Sequence, residues 1–331
     1  MPAMRHRHRT DAPDLRHSQA DPTMSARAWL SLSITAALWG ASYMFIKVAL
    51  DGGLSEGFII AARTLIGAAV LAPMAIRAGA IPMIMQRKGY ALALAAAQVI
   101  VPFGLITFGE NHVPSSLAGI LVATAPLFIA ILAVKVDPDE RSHGWGLVGV
   151  LVGMVGVVLL FGLDLSGDAD TVIGGLMIVG SGLCYAIAVL IAKRGFTGVP
   201  PVGVAASNLA IAGVLWLPIA LASLPTHNPG TNAILSMLAL SVGGTGIAFL
   251  FFYTSIAQVG PARASMVSYV APAFSVVYGV ILLGEDLTVA TVAGLVLILA
   301  GSWLAASGRL PKWLSRSEPS HSSAPEPARA R

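Results

Sequence analysis

Residues 113–126 read VPSSLAGILVATAP, an apolar run that carries a proline where a buried helix would be continuous. Residues 259–272, VGPARASMVSYVAP, do the same. Slid by 146 positions, the second stretch lays Pro272 on Pro126, Val259 on Val113, Ala264 on Ala118 and Ala271 on Ala125. The match extends outward: at an offset of 145, Pro218 falls on Pro73, Gly294 on Gly149 and Gly301 on Gly156. Loop insertions produce small shifts of this kind, so the chain reads as two copies of one unit.

Each copy is written for a bilayer. Of 331 residues, 56% are hydrophobic and 11% charged, against about 25% charged in soluble domains. Apolar runs of the length needed to cross a hydrocarbon core fall at roughly 28–50, 58–76, 90–109, 115–134, 144–163, 172–192, 202–222, 235–257, 262–283 and 288–307. That makes ten spans, five in a first repeat (28–163) and five in a second (172–307). Five is odd, so the second copy must enter the membrane from the opposite side, as in the inverted repeats of secondary transporters. The expected fold is an all-α integral membrane protein with ten transmembrane helices as two inverted five-helix repeats. The runs are too long, and alternate too little, for the strands of a membrane β-barrel.

Charge sets the expected orientation. Of the 20 Lys and Arg, 18 fall in the two tails and in alternate loops, the latter holding Arg77, Arg87, Lys88, Lys135, Arg141, Lys193, Arg194 and Arg263. The other loops hold Asp51, Glu56, Glu110, Asp164, Asp168, Asp170, Glu285 and Asp286 without a Lys or Arg. By the positive-inside rule both termini lie in the cytoplasm. The tails 1–27 and 315–331 read as disordered and cytoplasmic, and Met24 is an alternative start. Residues 1–27 lack the apolar core and cleavage site of a signal peptide. The net charge of +4 follows from this asymmetry, so no nucleic-acid partner is expected. Abundant Ala and Gly, with Arg far outnumbering Lys, suit a high-GC bacterial gene and hence the inner membrane.

The two prolines point to a site. Each removes an amide donor and displaces the carbonyl four residues earlier, those of Val122 and Ser268. Such a carbonyl needs a neighbouring helix, a water-lined cavity or a substrate. Paired interruptions in corresponding helices, here helix breaks at Pro126 and Pro272, mark binding sites in transporters. The polar and aromatic residues at similar depth are Trp39, Tyr43, Gln98, Thr124, Tyr185, Ser268 and Tyr269. Rings would cover an amphipathic substrate while the amide and hydroxyls fix its polar end; interhelical packing is the competing role for each residue taken singly.

Charges within the spans are Lys47, Arg63 and, at the end of the third, Glu110. Each should be paired, facing a cavity or near an interface. Arg63 corresponds to uncharged Asn208 in the other repeat. Snorkelling, or an ion pair with Glu56 or Glu110, is one expectation for Arg63; an outer gate whose ion pair forms in one state is the other. No carboxylate falls at the midplane, so proton coupling of the buried-acid kind has no support unless Glu110 lines the cavity, and the energy source stays open among proton coupling, exchange and uniport.

The stretch 243–304, GGTGIAFLFFYTSIAQVGPARASMVSYVAPAFSVVYGVILLGEDLTVATVAGLVLILAGSWL, together with ALWGASYMFIK at 37–47 and AARTLIGAAVL at 61–71, resembles the EamA-like family of the drug/metabolite transporter superfamily. The resemblance covers about 28–307. It departs at 136–140, where VDPDE replaces the LGE seen at 283–285. What the resemblance implies is a ten-helix carrier of small metabolites, often amino acids or related compounds and frequently an exporter.

Enzymatic readings find no support. There is no H-E-x-x-H motif, no midplane aspartate pair and no P-loop. The histidines fall in tails or loops, and Cys184 is the single cysteine, so neither a metal site nor a cofactor is expected. The partners expected are a small-molecule substrate and the lipid bilayer, with a homodimer left open. A membrane sensor or scaffold without transport activity is the alternative to a transporter.

Overall fold

The computed structural model describes residues 25–136, 145–163, 169–259, 264 and 266–307. The acidic segment 137–140, Arg141, Arg263, Asp164, Asp168 and the tails, apart from residues 25–27, lie outside the described residues. The described chain is helical throughout: α1 Ala26–Asp51, α2 Glu56–Arg77, a short α3 Ala80–Met85, α4 Lys88–Ala95, α5 Val101–Gly109, α6 Ser115–Val122, α7 Ala125–Val136, α8 Trp145–Leu163, α9 Ala169–Gly195, α10 Pro201–Ala222, α11 Thr231–Leu238, α12 Ala248–Val259, α13 Val267–Leu283 and α14 Val289–Ser307. Among them are 8 segments long and apolar enough to cross a membrane, and the apolar helices Val267–Leu283 and Val289–Ala305 are shorter.

Hydrogen bonds at the helix ends sort the chain into two poles. At an acidic end, Ser55 caps α2 by accepting from the Phe58 amide at 3.3 Å, and its hydroxyl donates to the Ser223 carbonyl at the end of α10 at 2.7 Å. There too, Asn111 donates to Glu56 at 2.6 Å. At the opposite, basic end, Arg87 donates to the carbonyls of Gly195 at 2.9 Å and Thr197 at 3.2 Å.

Packing runs in exchanged pairs. The most extensive interfaces are α2 with α10 and α8 with α14. Further in, α1 packs on α13 and on α12, while α9 packs on α6 and α7 and on α5. Small residues permit the closest approach: a Cβ on Gly301 would stand 2.6 Å from the Gly149 carbonyl oxygen, and one on Gly149 would stand 2.7 Å from that of Gly301. Backbones that touch in this way are a common means of joining helices where water supplies no hydrophobic drive.

Three spans depart from a straight α-helix. The third runs through a π-helical stretch, Ala96–Ile100, between α4 and α5, and the eighth through Ala239–Ile247 between α11 and α12. Wider π turns rotate the side chains that follow and recur at functional sites. The fourth breaks between α6 and α7. Pro126 is the second residue of α7, where a missing amide proton is no loss. The Ala123 carbonyl left at the break accepts from the Ser302 hydroxyl of α14 at 3.1 Å.

Pro272 corrects the expected symmetry. It lies inside α13, which continues unbroken from Val267 to Leu283. Pro272 is the sixth residue of this helix, so its missing amide leaves the Ser268 carbonyl without its usual partner four residues on, while the helix continues around it.

Candidate functional site

Arg63 is the centre from which the interior polar groups can be traced. It sits two turns into α2 and is 6% exposed. Its Nε donates to Thr245 Oγ1 at 3.3 Å, and its guanidinium carbon lies 4.1 Å from the centre of the Phe103 ring. Thr245 belongs to the π-helical stretch of the eighth span and is itself buried, with its hydroxyl donating to the Leu240 carbonyl at 3.0 Å. Cation and ring attract through the ring's quadrupole, more strongly where water is excluded.

A second contact matches the first. Asn208 of α10, the counterpart of Arg63 in the other repeat, donates its Nδ2 to Gln98 Oε1 at 2.7 Å. Gln98 belongs to the π-helical stretch of the third span. The two halves thus reach across to each other twice, each time from the same depth of the paired helices α2 and α10 into a π-helical stretch.

Tyr43, Tyr185 and Glu110 lie within electrostatic reach of Arg63. Tyr43, half-buried on α1, packs against the apolar clusters around Leu117 and Ile120 and around Ile46 and Ile106. Tyr185, half-buried on α9, packs against the second of these. Neither phenol hydroxyl makes a hydrogen bond to the described protein. Glu110, at the end of α5, is fully buried, and neither carboxyl oxygen has a hydrogen-bond partner.

The ion pair expected of Arg63 is not formed with either partner named from the sequence. Glu56 accepts from Asn111, and Glu110 makes no contact of ion-pair length. Lys47 turns to the acidic end: its ammonium lies 3.4 Å from an Asp51 carboxylate oxygen and donates to the Glu110 main-chain carbonyl at 3.3 Å.

The other candidates disperse. Trp39 sits one turn from Tyr43 toward the basic end, against Phe249 and Phe252 of α12 with ring centres 5.7 and 4.9 Å away. Thr124 is buried at the break, its hydroxyl donating to the Leu121 carbonyl at 2.7 Å. Tyr269 is half-buried, its hydroxyl donating to the Ser302 carbonyl at 3.4 Å. Ser268 lies exposed in the first turn of α13.

Residues the sequence reading did not single out complete the picture. Thr245 and Phe103 hold the guanidinium, and Tyr253 stacks 6.0 Å from Phe249. Glu285, read as a loop acid and as part of the LGE stretch but given no partner, reaches the N-terminus of α6: Oε1 accepts from the Ser115 amide at 2.8 Å and hydroxyl at 2.7 Å, and Oε2 from the Ser116 amide at 2.9 Å. A carboxylate there meets free amide protons and the positive end of the helix dipole. A separate cavity of about 440 Å³ opens between α2, α3, α4 and α10, lined by Ala68, Ala72, Ile81, Ile84, Ala206 and Ala210. It is apolar and does not include the Arg63 cluster.

Comparison with known proteins gives this geometry its setting. A transporter of Archaeoglobus fulgidus, named "Uncharacterized transporter", is 25% identical over 278 residues, covering 84% of this chain and 98% of its own. The "Uncharacterized inner membrane transporter YedA" of Escherichia coli K12 is 28% identical over 257 residues, covering 76% of this chain and 81% of its own. A crystal structure of a protein 23% identical in sequence superposes with a TM-score of 0.61 over 85% of this chain and 96% of that one, so the fold is shared. The model of the EamA-like transporter family matches residues 27–162 and again 172–307, and the chain therefore belongs to that family.

Proposed function

We propose that this protein is a secondary transporter that carries a small metabolite, an amino acid or a related compound, across the cell membrane by alternating access. Its ten helices form two inverted five-helix repeats, and both termini face the cytoplasm. The observation that carries this reading is the matched pair of contacts Arg63–Thr245 and Asn208–Gln98. Two copies of one unit, related by a pseudo-two-fold axis in the membrane plane, would make the same contact twice at their interface, and transporters bind substrate at such an interface. The family match falling once on each half supports the same arrangement, as do the exchanged packing of α2 with α10 and of α8 with α14.

The polar cluster supports transport over a scaffold role. Buried charges are costly in a bilayer and are kept where a solute or ion passes. The test is exchange in proteoliposomes loaded separately with amino acids, nucleosides, polyamines or lipophilic cations. Labelled solute of one class should accumulate above protein-free liposomes, and the gain should fall in Tyr185→Ala protein that still runs as a single species on size exclusion. Uptake equal to protein-free liposomes for every class would sink the transporter reading.

A further inference from the structure

We infer that Arg63 is the anchor for an anionic group of the transported solute, a carboxylate or a group of like charge and shape. This deepens the transporter reading and rests on it. The argument begins with Asn208, which shows what packing alone requires at this place in the fold: a neutral amide joined to the π-helical stretch opposite. At position 63 the same join is made by one donor of a guanidinium, Nε on Thr245. A guanidinium has five N–H donors, and among the described residues the other four have no hydrogen-bond partner in the protein. The charge and the spare donors exceed what the join needs.

Among the described residues no anion uses them. Glu110 is near enough to feel the charge, yet it forms no ion pair with Arg63 and its oxygens accept no hydrogen bond. Lys47 is turned to Asp51 and leaves the guanidinium alone. Around Arg63 stand two further groups with donors to offer, the hydroxyls of Tyr43 and Tyr185, neither bonded to the protein. Phe103 lies against the guanidinium carbon, with its ring centre 4.1 Å away. A planar fork of N–H donors, with two unbonded phenol hydroxyls within electrostatic reach of its charge and an aromatic ring against it, fits a carboxylate held in two hydrogen bonds and carried on an apolar or aromatic body.

The experiment uses matched probes on the whole purified chain: phenylacetate with phenylacetamide, and N-acetylphenylalanine with its amide, scored by thermal stabilisation and then by transport in proteoliposomes. Wild-type protein should bind each acid at least about tenfold more tightly than its amide, the range expected for hydrogen bonds to a charged group. Arg63→Gln should abolish that preference. Arg63→Lys keeps the charge without the fork and should retain a weakened preference. Equal binding of acid and amide by wild type, which needs no variant to fold, would overturn the proposal, as would an acid preference surviving in Arg63→Gln. If dioleoylphosphatidylglycerol added to the detergent displaces the acids, and wild type does not transport them, the site serves a lipid headgroup and the proposal is overturned. Transport of neutral or cationic solutes with no preference for acids would overturn it while leaving the transporter reading intact; absence of all transport would sink both.

Discussion

Glu285 does at the acidic end what a capping residue does for a soluble helix, but from another half of the chain. It supplies an acceptor to two amides and one hydroxyl at the start of α6, and it carries a full negative charge to the positive end of that helix. Removing it should cost more than an ordinary side-chain hydrogen bond and less than a core residue. Glu285→Ala is expected to lower stability by about 1–2 kcal/mol, the range for lost N-caps, with Glu285→Gln falling between it and wild type. Thermal unfolding in detergent reads the order, and equal melting temperatures for all three proteins would mean the carboxylate contributes nothing. This residue also marks the limit of what could be read from the chain alone. The sequence reading placed Glu285 among the loop acids and in the LGE stretch, but its partners are 170 and 169 positions away, and no pattern of spacing encodes such a contact. Arg63 was legible as an anomaly, because a charge stood where the other repeat has Asn208. Its partner was not legible: proximity in hydropathy suggested Glu110 or Glu56, whereas the π-helical stretch brings Thr245 to it.

At the scale of elements, the eight segments long and apolar enough to cross a membrane were readable because hydrophobic length is a property of composition. The π-helical stretches at Ala96–Ile100 and Ala239–Ile247 were not, since one wider turn leaves no mark on apolar content. The prolines fall between these cases. Both were read as breaks, and only Pro126 lies at one, because what a proline costs depends on its distance from the helix start. That difference can be measured. Pro126→Ala restores an amide in the first turn of α7, where it has no carbonyl to meet, and should change stability by less than about 0.5 kcal/mol. Pro272→Ala gives α13 an amide that can bond the Ser268 carbonyl, and should stabilise by up to about 3 kcal/mol. Denaturation of the two variants side by side decides the matter, and a larger effect from Pro126→Ala would contradict the placement of the break. The contact of α8 with α14 makes a sharper claim. With Gly301 against the Gly149 carbonyl, Gly301→Leu has no space to occupy and should destabilise by about 3 kcal/mol, at the upper end for overpacking. Loss of monodisperse protein on size exclusion is the expected result, whereas Gly162→Leu, on an exposed position with open space around it, should behave as wild type.

At the scale of the molecule, the two halves are tied at the acidic end by side chains that cross between them. Ser55 reaches Ser223, and Glu285 reaches Ser115 and Ser116. If transport proceeds by rocking one half against the other around the Arg63 cluster, these ties must part in each cycle, because a solute cannot leave toward the acidic end while they hold. The hydroxyls of Ser55 and Ser223 are 2.9 Å apart, close to the reach of a disulfide. Cys184 is the single cysteine, so Cys184→Ser supplies a background without thiols. In that background Ser55→Cys with Ser223→Cys should cross-link under mild oxidation, joining α2 to α10 at their acidic ends. Transport should then fall to the level of protein-free liposomes and return on reduction with dithiothreitol. Each single cysteine should transport normally under both conditions, which separates locking from damage. Stability should rise on cross-linking, since the bond restrains the unfolded chain. Full transport by the fully oxidised double variant would mean that the acidic end need not open between α2 and α10, and alternating access would then have to run through motion elsewhere in the bundle.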